Sequence, residues 1–322
     1  MTRPGTRPGT RDDRVWRVTG ASSGIGRATA LAAAEAGAHV VLTARSEGPL
    51  QDAAGECDRA GAASTLVLTA DIGRDDEVEK LVGGVLERHG RLDVVVNSAG
   101  VVAYGRTEDV PPEVFDGVLR TNLSGSVNLA RHALRVMREQ ESGTLLLVGS
   151  VIGHVAIPTM TPYAVSKWGV QALARQLRIE NRDRPGVHVR YVAPGGVDTP
   201  IYDQAASTTT LPGRPPPPAS SAMKTGRQVA RRVDHGGLPD QLTVLNYPIL
   251  AGFRLVPRIY DAIIGAVFPL GAADLTHERE PDDGNVLESR PEGNAYAGGH
   301  GNAWFRVARN VAAKLRGRSL AG

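Results

Sequence analysis

Glycine turns recur between apolar runs and helical patterns from residue 15 onward, and this alternation constrains the fold more than any other feature of the chain. Apolar runs fall at Val15–Val18, Val40–Thr43, Thr65–Leu68, Leu92–Val96, Thr144–Val148 and Val187–Val192. Helical patterns such as Arg27–Ala36 and Asp75–Arg88 lie between them. Strands that alternate with helices of about ten or more residues imply parallel pairing, with the crossover helices covering both sheet faces. Because such crossovers are right-handed, the expected architecture is α/β, a doubly wound parallel sheet in a single core domain over residues 14–275 with a C-terminal extension.

The 322 residues exceed what one such core needs, which is why extensions are expected. Residues 1–13 repeat Arg-Pro-Gly-Thr without the apolar region of a secretory signal and read as a disordered leader. The single cysteine, Cys57, excludes an internal disulfide framework and fits a reducing, cytoplasmic compartment. No uninterrupted apolar run is long enough for a membrane-spanning helix. The net charge of +3 is carried by the ends: residues 304–322 hold +5 and residues 1–14 hold +2, so the core is net acidic. Nucleic-acid binding therefore has no electrostatic support.

Regularity ends after Pro200. Residues 205–221, rich in Thr, Ser and Pro, read as an exposed mobile segment within a candidate substrate loop over 200–230. A short strand is expected near Gln241–Leu245, then amphipathic helices around Ile249–Leu255 and Arg258–Phe268, since Pro257 suits a helix start. Residues 276–303 read as a flexible linker. A basic helix over 304–316 follows, with Trp304, Ala308, Val311 and Leu315 at helical spacing.

The first strand runs into Thr19-Gly20-Ala-Ser22-Ser23-Gly24-Ile25-Gly26, and a helix opens at once. Glycines allow a tight turn and close backbone approach, while the helix N-terminus offers unpaired N–H groups and positive dipole to a pyrophosphate. The sheet is thus Rossmann-type. The second strand ends Thr43-Ala44-Arg45-Ser46, where an NAD site would place an acid. Arg45 can pair with a 2′-phosphate, so NADP(H) is favoured, and Glu47 leaves NAD(H) open.

Further along, Gly149-Ser150 precedes Tyr163-Ala-Val-Ser-Lys167 by thirteen residues. A spacing of four puts Tyr163 and Lys167 on one helical face, where an ammonium favours the phenolate and draws the tyrosine toward the range of a proton-transfer catalyst. Lysine is scarce in this chain (Lys80, Lys167, Lys224, Lys314), which otherwise uses arginine. A serine-hydrolase elbow at Ser150 fails, because Val148 and Ile152 stand where glycines are needed.

Taken in order, Thr19–Gly26, Asp71, Asn97-Ser-Ala-Gly100, Asn122, Ser150 with Tyr163 and Lys167, and Pro194-Gly195 resemble the short-chain dehydrogenase/reductase family over roughly residues 15–200. The resemblance implies that Asp71 and Ile72 lie at the adenine and that Asn97, Ala99 and Gly100 line the adenosine side. It also implies that Pro194, Gly195, Val197 and Thr199 contact the nicotinamide carboxamide. Tyr163 would be the acid or base, with Lys167 lowering its pKa and binding the nicotinamide ribose. Ser150 would polarise the substrate oxygen, and Asn122 would hold a water in the proton path. No metal is expected. Where the family commonly has a second asparagine this chain has Ser98, and Arg17 places a charge in a strand expected to be buried on both faces unless an acid pairs with it.

The implied activity is interconversion of a ketone or aldehyde with its alcohol. Val151, Ile152, Val155, Ile157, Met160, Ile201 and Tyr202 imply an apolar small-molecule substrate. A non-catalytic NADP-binding sensor and a nucleotide-sugar epimerase or dehydratase are the alternatives. A homo-oligomer is expected, and the 304–316 helix is open to two readings, docking on its own domain or peripheral membrane contact.

Overall fold

The computed structural model describes residues 12–316. Strands β1 (Val15–Thr19), β2 (His39–Ala44), β3 (Ser64–Thr69), β4 (Val94–Asn97), β5 (Gly143–Val148) and β6 (Val187–Val192) form one sheet in the order β3-β2-β1-β4-β5-β6. Every neighbouring pair is parallel. Strand order reverses between β1 and β4, so the chain leaves the sheet in opposite directions there and a crevice opens at the strands' carboxyl ends.

Helices α1 (Gly24–Glu35), α2 (Glu47–Ala60), α3 (Asp75–His89), α4 (Pro112–Leu119), α5 (Gly125–Glu139), α6 (Thr161–Glu180) and α7 (Ala222–Asp234) surround the sheet. Alternation along the strands divides the core into two layers. Val15, Val41 and Val95 pack with Val82, Leu129 and Val170 of α3, α5 and α6. Trp16, Val40 and Val94 pack with Ala33, Leu50 and Val229 of α1, α2 and α7. Each such apolar side chain taken from water contributes about 1.5–3 kcal/mol, which is how runs of Val and Leu specify the central strands.

Arg17 stands in β1 opposite Val41 and Val95, with no exposed surface. No acid pairs with it: all three guanidinium nitrogens lack a hydrogen-bond partner among the described residues. The expected register therefore holds and the burial cost is uncompensated, pushing the Arg17 pKa down to about 9.

Several expectations outside the sheet are corrected. The leader lies outside the described residues up to residue 11, but Asp12 is buried, accepting from the Trp16 indole at 3.0 Å and from Arg14 at 2.7 Å. No strand forms at Gln241–Leu245. A single bridge, Ala193 to Gln241, stands there, because the chain turns at once into α8 (Asn246–Leu255). Residues 205–221 are not an exposed segment: Ala206–Ser207 pairs with Ala103–Tyr104, and Ser220–Ser221 with Val197–Asp198. Residues 222–230 belong to α7, which packs so closely on α1 that a Cβ at Gly226 would lie 2.6 Å from the Ala28 carbonyl carbon. The helices α9 (Pro257–Ala272) and α10 (Ala303–Leu315) complete the chain.

Replacing Arg17 by Leu removes a buried, unpaired charge and fills the same space with apolar atoms. Urea unfolding should show a higher midpoint with unchanged slope, a gain of about 1–4 kcal/mol. A loss of stability would mean that Arg17 has a partner the structure does not reveal.

Candidate active site

Two glycines with left-handed backbone shape the first turn, Gly20 at φ 64° and Gly24 at φ 51°. A Cβ at Gly20 would fall 2.8 Å from the Ala99 amide nitrogen, and one at Gly26 would fall 2.2 Å from the Gly20 carbonyl oxygen. The turn, the N-terminus of α1 and the end of β4 can approach this closely only without side chains. The resulting cleft is lined by Ser22, Ile25, Arg45, Asp71, Ile72 and Gly100 among others. The N-terminus of α1 at one end and carboxylate and guanidinium groups at the other fit a dinucleotide.

Most of the implied cofactor residues come together here: Gly20, Ser22, Ser23, Gly24, Ile25, Gly26, Arg45, Asp71, Ile72, Ala99, Gly100 and Thr199 all line the cleft. Asn97 does not line it. Its amide is spent behind the wall, accepting from Thr19 Oγ1 at 2.6 Å and donating to Ser126 Oγ at 2.8 Å, so it fastens β4 to β1 and α5. Pro194, Gly195 and Val197 likewise stand outside the lining. Pro194 accepts from the Val151 amide at 2.8 Å, which ties the end of β6 to the segment carrying Ser150.

The catalytic candidates converge next to this cleft. Ser150 follows β5, and its Oγ accepts from the Ile152 amide at 3.2 Å. Tyr163 and Lys167 lie in the first half of α6, with Lys167 Nζ 5.6 Å from the centre of the Tyr163 ring and donating to the Val148 carbonyl at 3.0 Å. Tyr163 lies close enough to Ser150 for the serine hydroxyl to favour the phenolate. Asn122 sits in a short π-helical stretch, Arg120–Ser124, between α4 and α5. Its side chain is engaged on both sides: Oδ1 accepts from the Val101 amide at 2.8 Å, and Nδ2 donates to the Val101 carbonyl at 2.9 Å and to Ser166 Oγ at 3.0 Å. A Cβ at Gly100 would lie 3.3 Å from Asn122 Oδ1 and 3.6 Å from Lys167 Nζ, so the cleft wall runs directly past both groups.

The ionisation expected from the spacing is corrected. Burial pushes Tyr163 up to about 12, against the lowering influence of Ser150, and pushes Lys167 down to about 8. Loss of water around both groups outweighs the attraction between them, so the tyrosine is held as a neutral phenol. Around it Tyr104, Met160, Ile152, Ile157, Ile201 and Tyr202 form an apolar cluster.

Residues 276–303 are not a linker. Val286 is fully buried against Val101, Val114 and Ala206, and the segment crosses the cleft, adding Asn285, Ser289, Arg290 and Asn294 to its wall. The Ala295 carbonyl accepts the Gly24 amide at 2.8 Å, at the mouth of the helix N-terminus. Arg45 donates to the Asn285 carbonyl at 2.5 Å and the Val286 carbonyl at 3.4 Å, so the strap holds the arginine expected to select the cofactor. Tyr296 stacks under Arg27 at 5.0 Å and donates to Glu56, and His300 lies between Asp198 (2.6 Å) and Asp203 (3.0 Å). The polar Asn/Gly/Arg composition that reads as linker is also that of a loop whose backbone must bond to a cleft.

Tyr296 is the strap's main aromatic anchor. In Tyr296→Ala, loss of the cation–π contact and the charge-assisted bond to Glu56 should cost about 1.5–3 kcal/mol locally. Amide hydrogen exchange over residues 284–300 should accelerate by about tenfold or more, with β4 and β5 unchanged. Unaltered exchange would show that the strap is held by other contacts.

Comparison with known proteins agrees with this arrangement. The short chain dehydrogenase family model matches residues 14–210. Sepiapterin reductase of Chlorobaculum tepidum is 36% identical over 192 residues, 58% of this chain and 78% of that protein. Versicolorin reductase of Emericella nidulans is 34% identical over 192 residues, 59% of this chain and 72% of that protein. Among solved structures, an alcohol dehydrogenase of Thermococcus sibiricus complexed with 5-hydroxy-NADP superposes with a TM-score of 0.62 at 28% identity, covering 72% of this chain and 95% of that one. With sheet order, glycine turn and the Ser150, Tyr163 and Lys167 grouping already in place, the family match over more than half the chain settles the matter: the protein belongs to the short-chain dehydrogenases, oxidoreductases that bind NAD(P).

Proposed function

We propose that this oxidoreductase reduces an apolar ketone or aldehyde, uses NADP(H), and employs Tyr163 as the proton donor. The observation that carries the reading is the placement of Tyr163, a phenol beside Ser150 and Lys167 at the edge of an apolar cluster, where burial pushes its pKa up to about 12. A phenol that keeps its proton is suited to give it to an oxygen that becomes strongly basic during reaction. The names of two relatives, both reductases, support the same direction.

Each residue then has a task. When bound, the dinucleotide supplies the hydride. Ser150 and Tyr163 hold the carbonyl oxygen between two hydroxyls, and Tyr163 passes its proton to that oxygen as negative charge develops there. The phenolate left behind lies near the Lys167 ammonium, whose Nζ stands 5.6 Å from the centre of the Tyr163 ring. At an effective dielectric near 20, opposite charges about 5–6 Å apart attract by on the order of 3 kcal/mol. Lys167 thus acts on the product state of the proton transfer, although burial dominates before it. Asn122 fixes the Val101 backbone and Ser166, and so the wall against which Lys167 lies. Ile152, Ile157 and Ile201 exclude water and favour an apolar substrate.

Selection of NADP(H) is assigned to Arg45. Asp71 and a second cation, Arg120, are its charged neighbours, and Arg290 adds another cation to the cleft wall. A 2′-phosphate there would meet charge-assisted donors, each worth about 1.5–3 kcal/mol.

Two measurements test the proposal. With NADPH and a panel of apolar ketones and aldehydes, Tyr163→Phe should lower kcat by about 10²–10⁴ while NADPH affinity is retained. In the same assay kcat/KM should be level up to about pH 8 and fall about tenfold per unit above it. The sign follows from Lys167, whose lowered pKa of about 8 leaves it charged below that pH and neutral above, while Tyr163 stays protonated. Turnover indifferent to Tyr163→Phe would remove the assigned role. For the cofactor, Arg45→Asp should weaken NADPH binding by about tenfold or more relative to NADH, and equal losses for the two would sink the assignment.

A further inference from the structure

α10 is packed with its apolar side outward. Trp304, Phe305 and Leu315 are 62%, 77% and 84% exposed, whereas Arg306 and Asn310 on the opposite face are 5% and 0% exposed. Polar bonds fix this orientation. Asn310 donates to the Leu270 and Ala273 carbonyls at 2.9 and 2.8 Å and accepts from the Leu275 amide at 3.1 Å. Arg306 donates to the Pro215 carbonyl, and Arg309 pairs with Asp274 at 2.9 Å. Rotating the apolar stripe inward would break all of them and leave the Pro215, Leu270 and Ala273 carbonyls without these donors, so the stripe is not a core face that failed to dock.

The neighbouring helices continue the pattern. α9 packs against both α8 and α10 and exposes Ile259, Ile263 and Val267, one turn apart along one face. α8 exposes Tyr247, Ile249 and, at its end, Leu255. Together these side chains expose apolar surface on three helices, with α9 in contact with both of the others, and exposed apolar surface concentrated in this way marks an interaction face. Exposed cations border it: Arg254 beside Leu255, Arg258 beside Ile259, and Lys314 and Arg316 on either side of Leu315. Asp261 is the only acid in the three helices.

The geometry points to an anionic lipid surface as the occupant of this face, with α8, α9 and α10 lying in the plane of the membrane interface. Apolar and aromatic side chains with a fringe of Lys and Arg are what such a surface takes up. A second copy of the chain is disfavoured by charge, since an isologous contact would bring together two copies of one net-basic face. None of the helices among the described residues is long and apolar enough to cross a bilayer, so the contact is peripheral. The inner sides of α8 and α9 reach the site: Phe253 and Tyr260 pack on Val151 and Ile157, and Phe268 packs in the cluster around Tyr163. The docked face and the apolar pocket are thus opposite sides of the same helices. The docking itself does not depend on the reaction assigned to that pocket.

Sedimentation of the full-length chain with phosphatidylcholine vesicles, with and without phosphatidylglycerol, tests this. The protein should pellet with the anionic vesicles and be released as salt rises. Arg258→Ala with Lys314→Ala should weaken binding by about tenfold or more. Leu255→Ser with Phe305→Ser should abolish it, and because both positions are exposed, unchanged NADPH titration and circular dichroism will show that the fold is intact. Failure to sediment with either vesicle, or equal sedimentation of wild type and both variants, overturns the proposal. A dimer in sedimentation velocity that the Leu255/Phe305 variant dissolves, without vesicle binding, overturns it in favour of an interface between copies.

Discussion

Everything in the cleft depends on a contact between two backbones, the approach of α1 to the end of β1. With a Cβ at Gly26 the distance to the Gly20 carbonyl oxygen would be 2.2 Å, so the helix can start directly on the strand only because that position has no side chain. That start places the N-terminus of α1 at the crevice between β1 and β4, with the positive end of its dipole toward the cleft. The same compression brings Ala99 against Gly20, and the next residue, Gly100, passes close to Lys167. Catalytic and cofactor ends are therefore joined through main chain, and β4 needs Asn97 behind it as a fastener more than in front as a ligand.

What the sequence made legible is what periodicity and special backbone encode. All six strands could be located from apolar runs, and the glycine turn from its place between strand and helix. Ser150, Tyr163 and Lys167 could be grouped because four residues along a helix is a spatial distance as well as a sequence distance. The strap over residues 284–300 was illegible for the opposite reason. Its anchoring is made by backbone carbonyls at Asn285, Val286 and Ala295 and by pairs more than two hundred residues apart, such as Tyr296 with Glu56. Composition reports neither kind of bond. α10 shows a related ambiguity: helical spacing fixed which residues share a stripe, but only Arg306 and Asn310, turned inward, decide that the stripe faces out.

Arg17 marks where a general rule and a particular sequence disagree. A central parallel strand should be apolar throughout, and this one carries a cation with no partner among the described residues, yet its register with β2 and β4 is unbroken. The flanking Val15, Trp16 and Val18 are each almost wholly buried, and together they outweigh one unfavourable side chain. Register in a sheet is collective, since a slip by one residue would send all of these to the wrong layer.

The Tyr163 and Lys167 pair turns on the same competition between burial and charge. Read from spacing, the ammonium should lower the phenol's pKa; in the folded chain, removal from water raises it to about 12 and lowers the lysine to about 8. The two readings describe different moments. Before reaction both groups bear the cost of burial, and the phenol avoids it by staying neutral. In the proposed reaction Tyr163 gives up its proton, a negative charge then lies in the buried site with an ammonium nearby, and the attraction that was too weak to ionise the resting phenol acts on the phenolate. A site built this way spends little on a standing ion pair and places its electrostatic stabilisation where charge develops, which is the arrangement that speeds a proton transfer.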